Sequence, residues 1–187
     1  DGRIVHELDE KELYLHRENF GMLFQGAALF ESLTVGENVG LWLREHTRTD
    51  DKDIASRSKQ FLELVGLREV EEKRPSELSG GMKKRVGLAR AIINEPRYIL
   101  YDEPTTGLDP IMSDMINDLI LKVRRELKNT AIVVTHDMPS VYKVADRIAM
   151  LHQGKIVFSG TPAEIRSTEN PLAQQFIQGR ADGPIRL

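Results

Sequence analysis

The chain has 187 residues, a formal net charge of −3 and no cysteine, and 40% of its residues are hydrophobic. This length and composition predict one globular domain, with at most two lobes, and they argue against intrinsic disorder. The balanced charge argues against nucleic acid as the main partner, and the lack of cysteine excludes a disulfide framework and thiol chemistry.

Helices and strands are predicted from apolar periodicity, capping residues and Gly or Pro breakers. In chain order, we expect strands at residues 3–8 and 19–24, helices at 35–45, 50–65 and 79–94, a strand at 98–101, a helix at 112–127, a strand at 131–134, a hairpin of strands at 147–151 and 155–158, and helices at 162–166 and 171–178. The tail from Gly179 ends in Ile185 and Leu187, and it is expected either to be disordered or to dock on a neighbouring subunit.

Two apolar runs predict the centre of the fold. Residues 98–101 and 131–134 are continuously apolar, as is typical of strands that are covered on both faces in a parallel sheet. An amphipathic helix lies between them, and a strand, a helix and a strand in this order form a right-handed crossover. The sequence therefore predicts an α/β fold with a mostly parallel sheet.

Asp102 and Glu103 directly follow the strand predicted at residues 98–101. Open parallel sheets bind ligands at the carboxyl ends of their strands. The first carboxylate can hold Mg²⁺, directly or through water, and the second can orient or deprotonate an attacking water. Acidic residues at strand ends also serve as helix caps or solvated loop residues, so this pattern alone leaves both interpretations open.

The sequence Leu-Ser-Gly-Gly-Met at residues 78–82 begins the helix predicted at 79–94. Gly80 and Gly81 let backbone N–H groups approach an anion closely, and Ser79 adds a hydroxyl. The positive end of the helix dipole points to the same place, so the pattern indicates an anion-binding cradle. An ordinary serine N-cap after a flexible loop would use the same residues, and the motif alone does not separate the two.

Five motifs in a fixed order make the chain similar to the ATP-binding cassette (ABC) family over its whole length. They are Gln25, Leu78-Ser79-Gly80-Gly81-Met82, Asp102-Glu103, Gly107-Leu108-Asp109 and His136. In that order they resemble the family's Q-loop glutamine, its signature motif, the Walker B acid with the catalytic glutamate, the D-loop and the switch histidine. Met82 replaces the commonest final residue of the signature, a glutamine, so that side chain's contact to the nucleotide sugar is not expected here.

The resemblance implies that two cassettes pair head to tail and enclose two ATP molecules. Ser79, Gly80 and Gly81 would bind the γ-phosphate of the ATP held by the other subunit. Met82 and Asp109 would lie with them at the nucleotide. The other chain of the pair is therefore an implied partner, in a homodimer.

The resemblance also implies the roles of the remaining motifs. Glu103 would activate the attacking water, and His136 would contact the γ-phosphate and the transition state. Asp102 would hold Mg²⁺. Gln25 would contact Mg²⁺ or water and report the nucleotide state to a transmembrane partner.

The phosphate loop G-x-x-x-x-G-K-[S/T] does not occur in these 187 residues. In the family it precedes the region that matches here, so the resemblance implies an N-terminal truncation and an incomplete P-loop NTPase core with a helical subdomain. We expect such a chain neither to bind ATP tightly nor to hydrolyse it. The strands beside the missing central strand, including residues 98–101, are expected to expose their edges or to rearrange.

The motifs predict four regions along the chain. Residues 1–25 would be a remnant of the N-terminal β region up to the Q-loop, and residues 26–95 a helical subdomain with the signature motif. Residues 96–160 would form the ATPase core, and residues 161–187 the C-terminal helices and tail.

Several segments resemble the ATPases of Mce-type lipid transport systems, which include the maintenance-of-lipid-asymmetry (Mla) systems. The matching residues are 21–30, 33–39, 43–46, Met82 and 181–185. The resemblance implies phospholipid movement between bacterial envelope membranes, with a permease and a Mce-type substrate-binding protein as partners. The ATPase would lie on the cytoplasmic face of the inner membrane.

Contact with the membrane is expected only through the permease. No apolar run approaches the roughly 20 residues that span a bilayer, and the polar residues 1–12 do not predict a secretory signal. Residues 27–30 are apolar and follow Gln25, so they either line a groove for a helix of the permease or pack in the core.

Three other functions remain as alternatives. A non-transport ATPase of the same superfamily, such as a chromosome-maintenance protein, would place a long coiled coil between the Q-loop and the signature, but residues 26–77 have no sustained heptads. A regulatory subunit that has lost catalysis would not need Glu103 and His136. An importer of a small solute would differ only in its cargo.

Overall fold

The computed structural model describes residues 4–186, and these divide between Val134 and Thr135 into two compact units. Both units mix helices and strands. None of the helices within residues 4–186 combines the length and apolarity needed to cross a membrane.

The first unit contains five α-helices and three strands among its described residues. In chain order they are α1 (Glu10–Arg17), β1 (Phe20–Leu23), α2 (Val35–His46), α3 (Asp51–Leu64), α4 (Gly80–Ile92), β2 (Tyr98–Asp102), α5 (Pro110–Leu127) and β3 (Thr130–Val134). Short 3₁₀ turns occur at Val5–Glu7 and Pro75–Glu77. Asp9, Thr34, Asp50, Ser79 and Asp109 cap the five helices through their side chains.

The three strands form a parallel sheet in the order β1-β2-β3. Leu23 at the end of β1 lies opposite Tyr101, and Asp102 at the end of β2 lies opposite Val134. The carboxyl ends of the strands therefore meet at one edge, which brings the segments that begin with Phe24 and Glu103 to the same side of the sheet.

Helix α4 packs very closely on β1. A Cβ atom on Gly21 would lie 1.9 Å from the carbonyl oxygen of Ala91, and one on Gly87 would lie 3.0 Å from side-chain atoms of Leu23 and Ala27. The missing side chains let the helix and strand backbones approach each other. The core of this unit then closes over fully buried residues of α4 and its neighbours, among them Val35, Val39, Leu62, Val86, Ala89, Ile92 and Ile99.

The second unit is a hairpin with three short helices. It contains α6 (Met138–Val144), β4 (Ile148–His152), β5 (Lys155–Gly160), α7 (Pro162–Ser167) and α8 (Pro171–Gln178). Gln153 and Gly154 both have positive φ, as a two-residue hairpin turn between antiparallel strands requires. Met150, Ile165 and Ala173 form its small core.

Some elements differ from the prediction. Residues 4–8 contain a 3₁₀ turn where a strand was expected, and residue 3 lies outside the described residues. Helices α1 and α6 were not predicted. The tail packs back on its own unit, because the buried side chain of Gln175 accepts a hydrogen bond from the Ile185 N–H at 2.7 Å and donates one to the Ile185 carbonyl at 3.0 Å.

The open edge of the sheet is also not where the sequence suggested. The sequence predicted that residues 98–101 would expose an edge, or that the remaining sheet would be rearranged, covered or domain-swapped. In the structure β2 exposes no edge, because it is paired on both sides. The reason is the crossover through α5, which places β3 directly beside β2. Within the described residues, β3 has one paired side only. Ile132 and Val134 are each 59% exposed, so the prediction that residues 131–134 are covered on both faces is wrong for the face that carries these two side chains.

Candidate functional site

Glu103 occupies a tight turn at the carboxyl end of β2. Its backbone is left-handed, with φ of 45°, which is unusual for a residue other than glycine. Its N–H donates to the Val134 carbonyl at 2.9 Å, and its own carbonyl accepts from Lys84 Nζ at 3.0 Å. Its carboxylate accepts a hydrogen bond from the Thr106 hydroxyl at 2.8 Å. Both the backbone and the carboxylate of Glu103 are therefore fixed.

The neighbouring Asp102 is the last residue of β2 and is half-buried. The ammonium of Lys84 attracts both carboxylates, and only 6% of Lys84 is exposed. Burial lowers the pKa of Lys84 below its ordinary value, while the attraction of Glu103 and Asp102 opposes this change. The acidic end of β2 thus has a buried positive charge behind it.

Ser79 and Gly80 begin α4 at an exposed place. The Ser79 hydroxyl oxygen accepts a hydrogen bond from the Met82 N–H at 3.3 Å, so Ser79 is an N-cap. A serine hydroxyl that accepts a bond still carries its own O–H donor. Ser79 can therefore cap the helix and still donate its O–H to an anion. The two interpretations that the sequence left open do not exclude each other.

The two glycines of this motif have different surroundings. A Cβ on Gly80 would meet only Leu108, at 4.0 Å, so the space above this residue is open. A Cβ on Gly81 would lie 2.4 Å from the end of the Met112 side chain, and Gly81 is buried. Gly80 is thus the position where a ligand can approach the backbone, whereas the space over Gly81 is filled by the end of the Met112 side chain of α5. Met82 is half-buried and packs at the margin of the core.

Gln25 is exposed, two residues beyond β1. The chain after it turns sharply, since Ala27 and Ala28 have positive φ values of 63° and 46°. The guanidinium of Arg90 donates to the carbonyls of both alanines, at 2.7 Å and 2.8 Å. Gln25 and Asp102 therefore follow adjacent strands at the same edge of the sheet, and Arg90 fixes the turn behind Gln25.

The last two predicted site residues differ in their surroundings. Asp109 caps α5, and its carboxylate accepts from the N–H groups of Ile111 and Met112, each at 3.0 Å. His136 is exposed and is the second residue of the second unit. The first unit thus brings together the segments of Gln25, Asp102 and Glu103, while Asp109 begins the helix that follows them.

The oxygen atoms of Asp102, Glu103 and Gln25 suit a magnesium ion that takes most of its ligands from water and phosphate. Residues 4–186 contain no group of three or more His, Cys, Asp or Glu side chains that could hold a metal ion by themselves. Asp102, Glu103 and Gln25 nevertheless offer oxygen atoms at one edge, and Mg²⁺ prefers oxygen and keeps several waters. These residues fit an ion whose coordination is completed by water and phosphate.

Sequence reasoning missed three residues whose side chains bond the backbone of the site's turns and of the loop beside them. Lys84, Arg90 and the fully buried Asn38 were not predicted to have a role. Gly81, Lys84 and Leu88 are spaced three and four residues apart and are all buried, so a lysine on the inner face of α4 was a usable signal. No comparable pattern identifies Arg90, which is only half-buried.

A comparison with known proteins identifies the family. The ABC transporter family matches residues 1–106. A dimeric, post-hydrolysis structure of the ATP-binding cassette MJ0796 bound to ADP and Pi superposes with a TM-score of 0.77 and 33% identity, over 87% of this chain and 71% of that one. The α/β fold with a parallel sheet and helices is therefore that of an ABC ATPase domain.

Characterised relatives resemble almost the whole chain. Protein TRIGALACTOSYLDIACYLGLYCEROL 3, chloroplastic, of Arabidopsis thaliana is 45% identical, over 89% of this chain and 53% of its own length. The probable ribonucleotide transport ATP-binding protein mkl of Mycobacterium leprae is 40% identical, over 100% and 54%. The intermembrane phospholipid transport system ATP-binding protein MlaF of Escherichia coli K12 is 41% identical, over 99% and 69%.

This chain belongs to the ABC transporter family, as the sequence motifs predicted. Among its relatives is an Mla-type ATP-binding protein, which agrees with the resemblance drawn from residues 21–30, 33–39, 43–46, Met82 and 181–185. The chain spans about half the length of the Arabidopsis and Mycobacterium relatives.

Proposed function

We propose that this chain supplies the signature, Walker B and Q-loop parts of an ABC-type ATPase that powers transport. One observation carries the proposal: the fixed Glu103 follows Asp102 at the carboxyl end of a parallel strand, in the same unit as an exposed, serine-capped helix start. Acids in this position are suited to phosphoryl transfer, which depends on positioning and charge neutralisation.

Glu103 is proposed as the group that orients and deprotonates the attacking water. The hydrogen bond from the Thr106 hydroxyl, at 2.8 Å, fixes the orientation of this carboxylate, as a general base requires. Asp102 is proposed to hold Mg²⁺ through water, with Gln25 at the same edge. The metal, when bound, supplies charge neutralisation at the transferred phosphoryl group.

The exposed helix start is proposed to act on a nucleotide held by a second cassette. Ser79 keeps an O–H donor, the space over Gly80 is open, and the positive end of the helix dipole lies at this exposed helix start. An exposed site of this kind suits a head-to-tail pair, and the MJ0796 relative is a dimer. Met82 and Asp109 are proposed to lie beside Ser79 and Gly80 at this nucleotide.

His136, in the second unit, is proposed separately as the switch histidine, in the role of contacting a γ-phosphate that its resemblance implies.

A groove beside the Q-loop segment is proposed as the place where a permease binds. The cavity has a volume of about 460 Å³, and its apolar lining includes Met22, Phe24, Ala28, Phe30 and Trp42. The sequence left open whether residues 27–30 pack in the core or line a groove for the permease. Ala27 is buried in the core, whereas Phe30 is 52% exposed at the groove. Binding there would keep the ATPase at the cytoplasmic face of the inner membrane.

The proposed cargo is phospholipid, with a Mce-type protein as the substrate-binding partner. This proposal is supported by the name of the Escherichia coli relative, which refers to intermembrane phospholipid transport. The Mycobacterium relative is named for ribonucleotides, so a nucleotide cargo is the second candidate. Mass spectrometry of the complex purified from its native host through a tag on this chain would decide, since enrichment of ribonucleotide without phospholipid would contradict the lipid proposal.

The ATPase proposal can be tested with mixed cassettes. This chain is combined with a cassette that has an intact phosphate loop but an inactivated signature motif. We expect hydrolysis in the mixture only, because Ser79 and Gly80 would then complete the other cassette's site. Ser79→Arg should remove this activity, whereas Ser76→Arg, at an exposed serine three residues earlier, should retain it. Equal activity of the two variants would contradict the proposal.

A further inference from the structure

Two turns of the candidate site have backbone conformations that are unfavourable for their residues. Ala27 and Ala28 are left-handed behind Gln25, and Glu103 is left-handed at the end of β2. Neither alanine has a polar side chain that could stabilise this conformation locally. Such conformations persist only where the surroundings fix them.

The same helix supplies a cation to each turn. Lys84 donates to the carbonyl of Glu103 at 3.0 Å, and Arg90 donates to the carbonyls of Ala27 and Ala28 at 2.7 Å and 2.8 Å. In each case the acceptor is the backbone of the left-handed residue itself. A donor of this kind stabilises the turn whatever the side chain of the acceptor residue is.

These contacts differ from ordinary surface ion pairs. Lys83, the neighbour of Lys84, reaches the carboxylate of Glu31 only at 3.7 Å with both side chains partly exposed. Lys84 is almost completely buried, and burial lowers the pKa of both Lys84 and Arg90. Placing two cations in such surroundings is unfavourable without good acceptors, and backbone carbonyls provide them.

Helix α4 is rigidly held between the two turns. Val86, Ala89 and Ile92 are fully buried, and Gly21 and Gly87 bring the helix backbone against β1. The same helix begins at Ser79. A movement of α4 would therefore displace the candidate signature, the turn that follows Gln25 and the turn at Glu103.

We propose that Lys84 and Arg90 are positioning residues, which hold the Glu103 turn and the Ala27–Ala28 turn of the candidate site on the single rigid body of α4. The importance of the two turns for ATP hydrolysis rests on the proposed function. The hydrogen bonds of Lys84 and Arg90 can be tested without nucleotide.

Hydrogen exchange of the whole chain tests each contact separately. We expect Lys84→Met to speed exchange of the Glu103 amide, which bonds the Val134 carbonyl, and of the Thr106 amide, which bonds the Glu103 carbonyl, by at least about tenfold. The Ala27 amide should stay within about twofold. Arg90→Met should have the opposite pattern. Lys84→Arg should restore slow exchange, because guanidinium can also donate to the carbonyl, and Lys83→Met is the matched control on α4.

A second measurement does not depend on the variants folding. In the wild-type chain, the Lys84 ammonium should give a slowly exchanging NH₃⁺ signal in ¹⁵N NMR at low temperature, unlike the exposed lysines. Rapid exchange of that signal would overturn the proposal for Lys84. Two results would overturn the proposal for both residues. In one, the amides of the two turns exchange equally fast in Lys84→Met, Arg90→Met and the wild type. In the other, exchange in the variants rises equally throughout α4.

The outcomes also separate this inference from the ATPase proposal. If the turns respond as expected but the mixed cassettes do not hydrolyse ATP, the contacts are real and the proposed function fails. If hydrolysis depends on Ser79 but exchange at the turns does not depend on Lys84 or Arg90, the positioning role fails and the ATPase proposal stands.

Discussion

The ammonium of Lys84 lies 3.0 Å from the carbonyl oxygen of Glu103, so a buried hydrogen bond joins the helix that begins at Ser79 to the strand end that bears the candidate catalytic carboxylate. The bond belongs to the backbone of Glu103, and the carboxylate stays available for its bond with Thr106. Parts of the site that lie far apart in the sequence are therefore connected within one unit.

The buried ammonium predicts a specific pH dependence of stability. The pKa of Lys84 is lower in the folded chain than the ordinary value of 10.5, so between these values the unfolded chain binds more protons. Stability must then rise with pH through this alkaline range. We expect the free energy of unfolding of the wild type, relative to Lys84→Met, to increase as the pH approaches about 10.

Urea unfolding of both proteins at a series of alkaline pH values measures this difference. The subtraction removes groups that titrate in both proteins, such as tyrosines and the other lysines. A difference that stays constant, or that falls with increasing pH, would show that burial does not dominate the pKa of Lys84.

The fully buried Asn38 is predicted to stabilise the loop between β1 and α2. Its side-chain amide bonds both the N–H and the carbonyl of Phe30, and it also donates to the carbonyls of Leu33 and Thr34. Asn38→Ala leaves the Phe30 N–H without its acceptor and removes one donor from three carbonyls, two of which keep a backbone N–H. The free energy of unfolding should therefore fall by roughly 1–3 kcal/mol. Chemical denaturation measures the change.

Asn94→Ala is the control for Asn38, because Asn94 is half-buried and makes one bond, to the Glu18 carbonyl at 3.0 Å. Its effect should be smaller, about 1 kcal/mol or less. An equal fall in the free energy of unfolding in the two variants would mean that the hydrogen bonds of Asn38 stabilise the chain no more than the single bond of Asn94.

The open side of β3 predicts self-association. A strand with unpaired N–H and C=O groups and exposed apolar side chains can pair with another chain. Ile132→Lys should therefore reduce concentration-dependent association in sedimentation velocity experiments. Because Ile132 is 59% exposed, its replacement should cost little stability, about 0.5 kcal/mol or less.

Leu151→Lys is the matched control for Ile132. Leu151 is also highly exposed, but it lies on β4 in the second unit. If Leu151→Lys reduced association as much as Ile132→Lys, general solubility and not the β3 edge would explain the effect.

The exposed ring of Phe30 is predicted to contact the permease. Phe30→Asp removes the exposed ring from the groove and places a carboxylate near the Arg90 guanidinium, which lies 6.0 Å from the ring centre. Because the apolar contact of the ring is lost, recovery of the permease in a pull-down should fall by at least about tenfold. Phe176→Asp is a control, because Phe176 is an exposed aromatic residue on α8. Unchanged recovery with Phe30→Asp would argue against the groove.

Local patterns predicted most of the regular structure. The helix at Pro171–Gln178 was predicted with the limits it has, and the capping pair Thr34 and Glu37 correctly began α2 at Val35. Helix α1 was missed because none of its residues is buried, so it has no apolar stripe; its capping box, Asp9 with Glu12, was the only available signal. Helix α6 was missed because seven residues are too few for a clear periodicity.

The candidate site was predictable in its motifs but not in its contacts. Gln25, Asp102 and Glu103 could be placed at one sheet edge because carboxyl ends of parallel strands coincide. Asp109 followed by Pro110 was a local N-cap signal that the helix predicted from residue 112 did not use. The sequence could not give the close contact of Gly81 with Met112 or the pairing of β2 on both sides. Each of these depends on which elements become neighbours.

The amino-acid sequence by itself determined the family, the α/β class and the order of the motifs, because these depend on residue types at short and fixed spacings. Only the tertiary structure decided that Lys84 and Arg90 hold two left-handed turns from one helix, since Lys84 is 19 residues from Glu103 and Arg90 is 63 residues from Ala27. No local pattern encodes such a pairing. It arises when glycines let α4 pack closely against β1, and burial then requires each cation to have an acceptor.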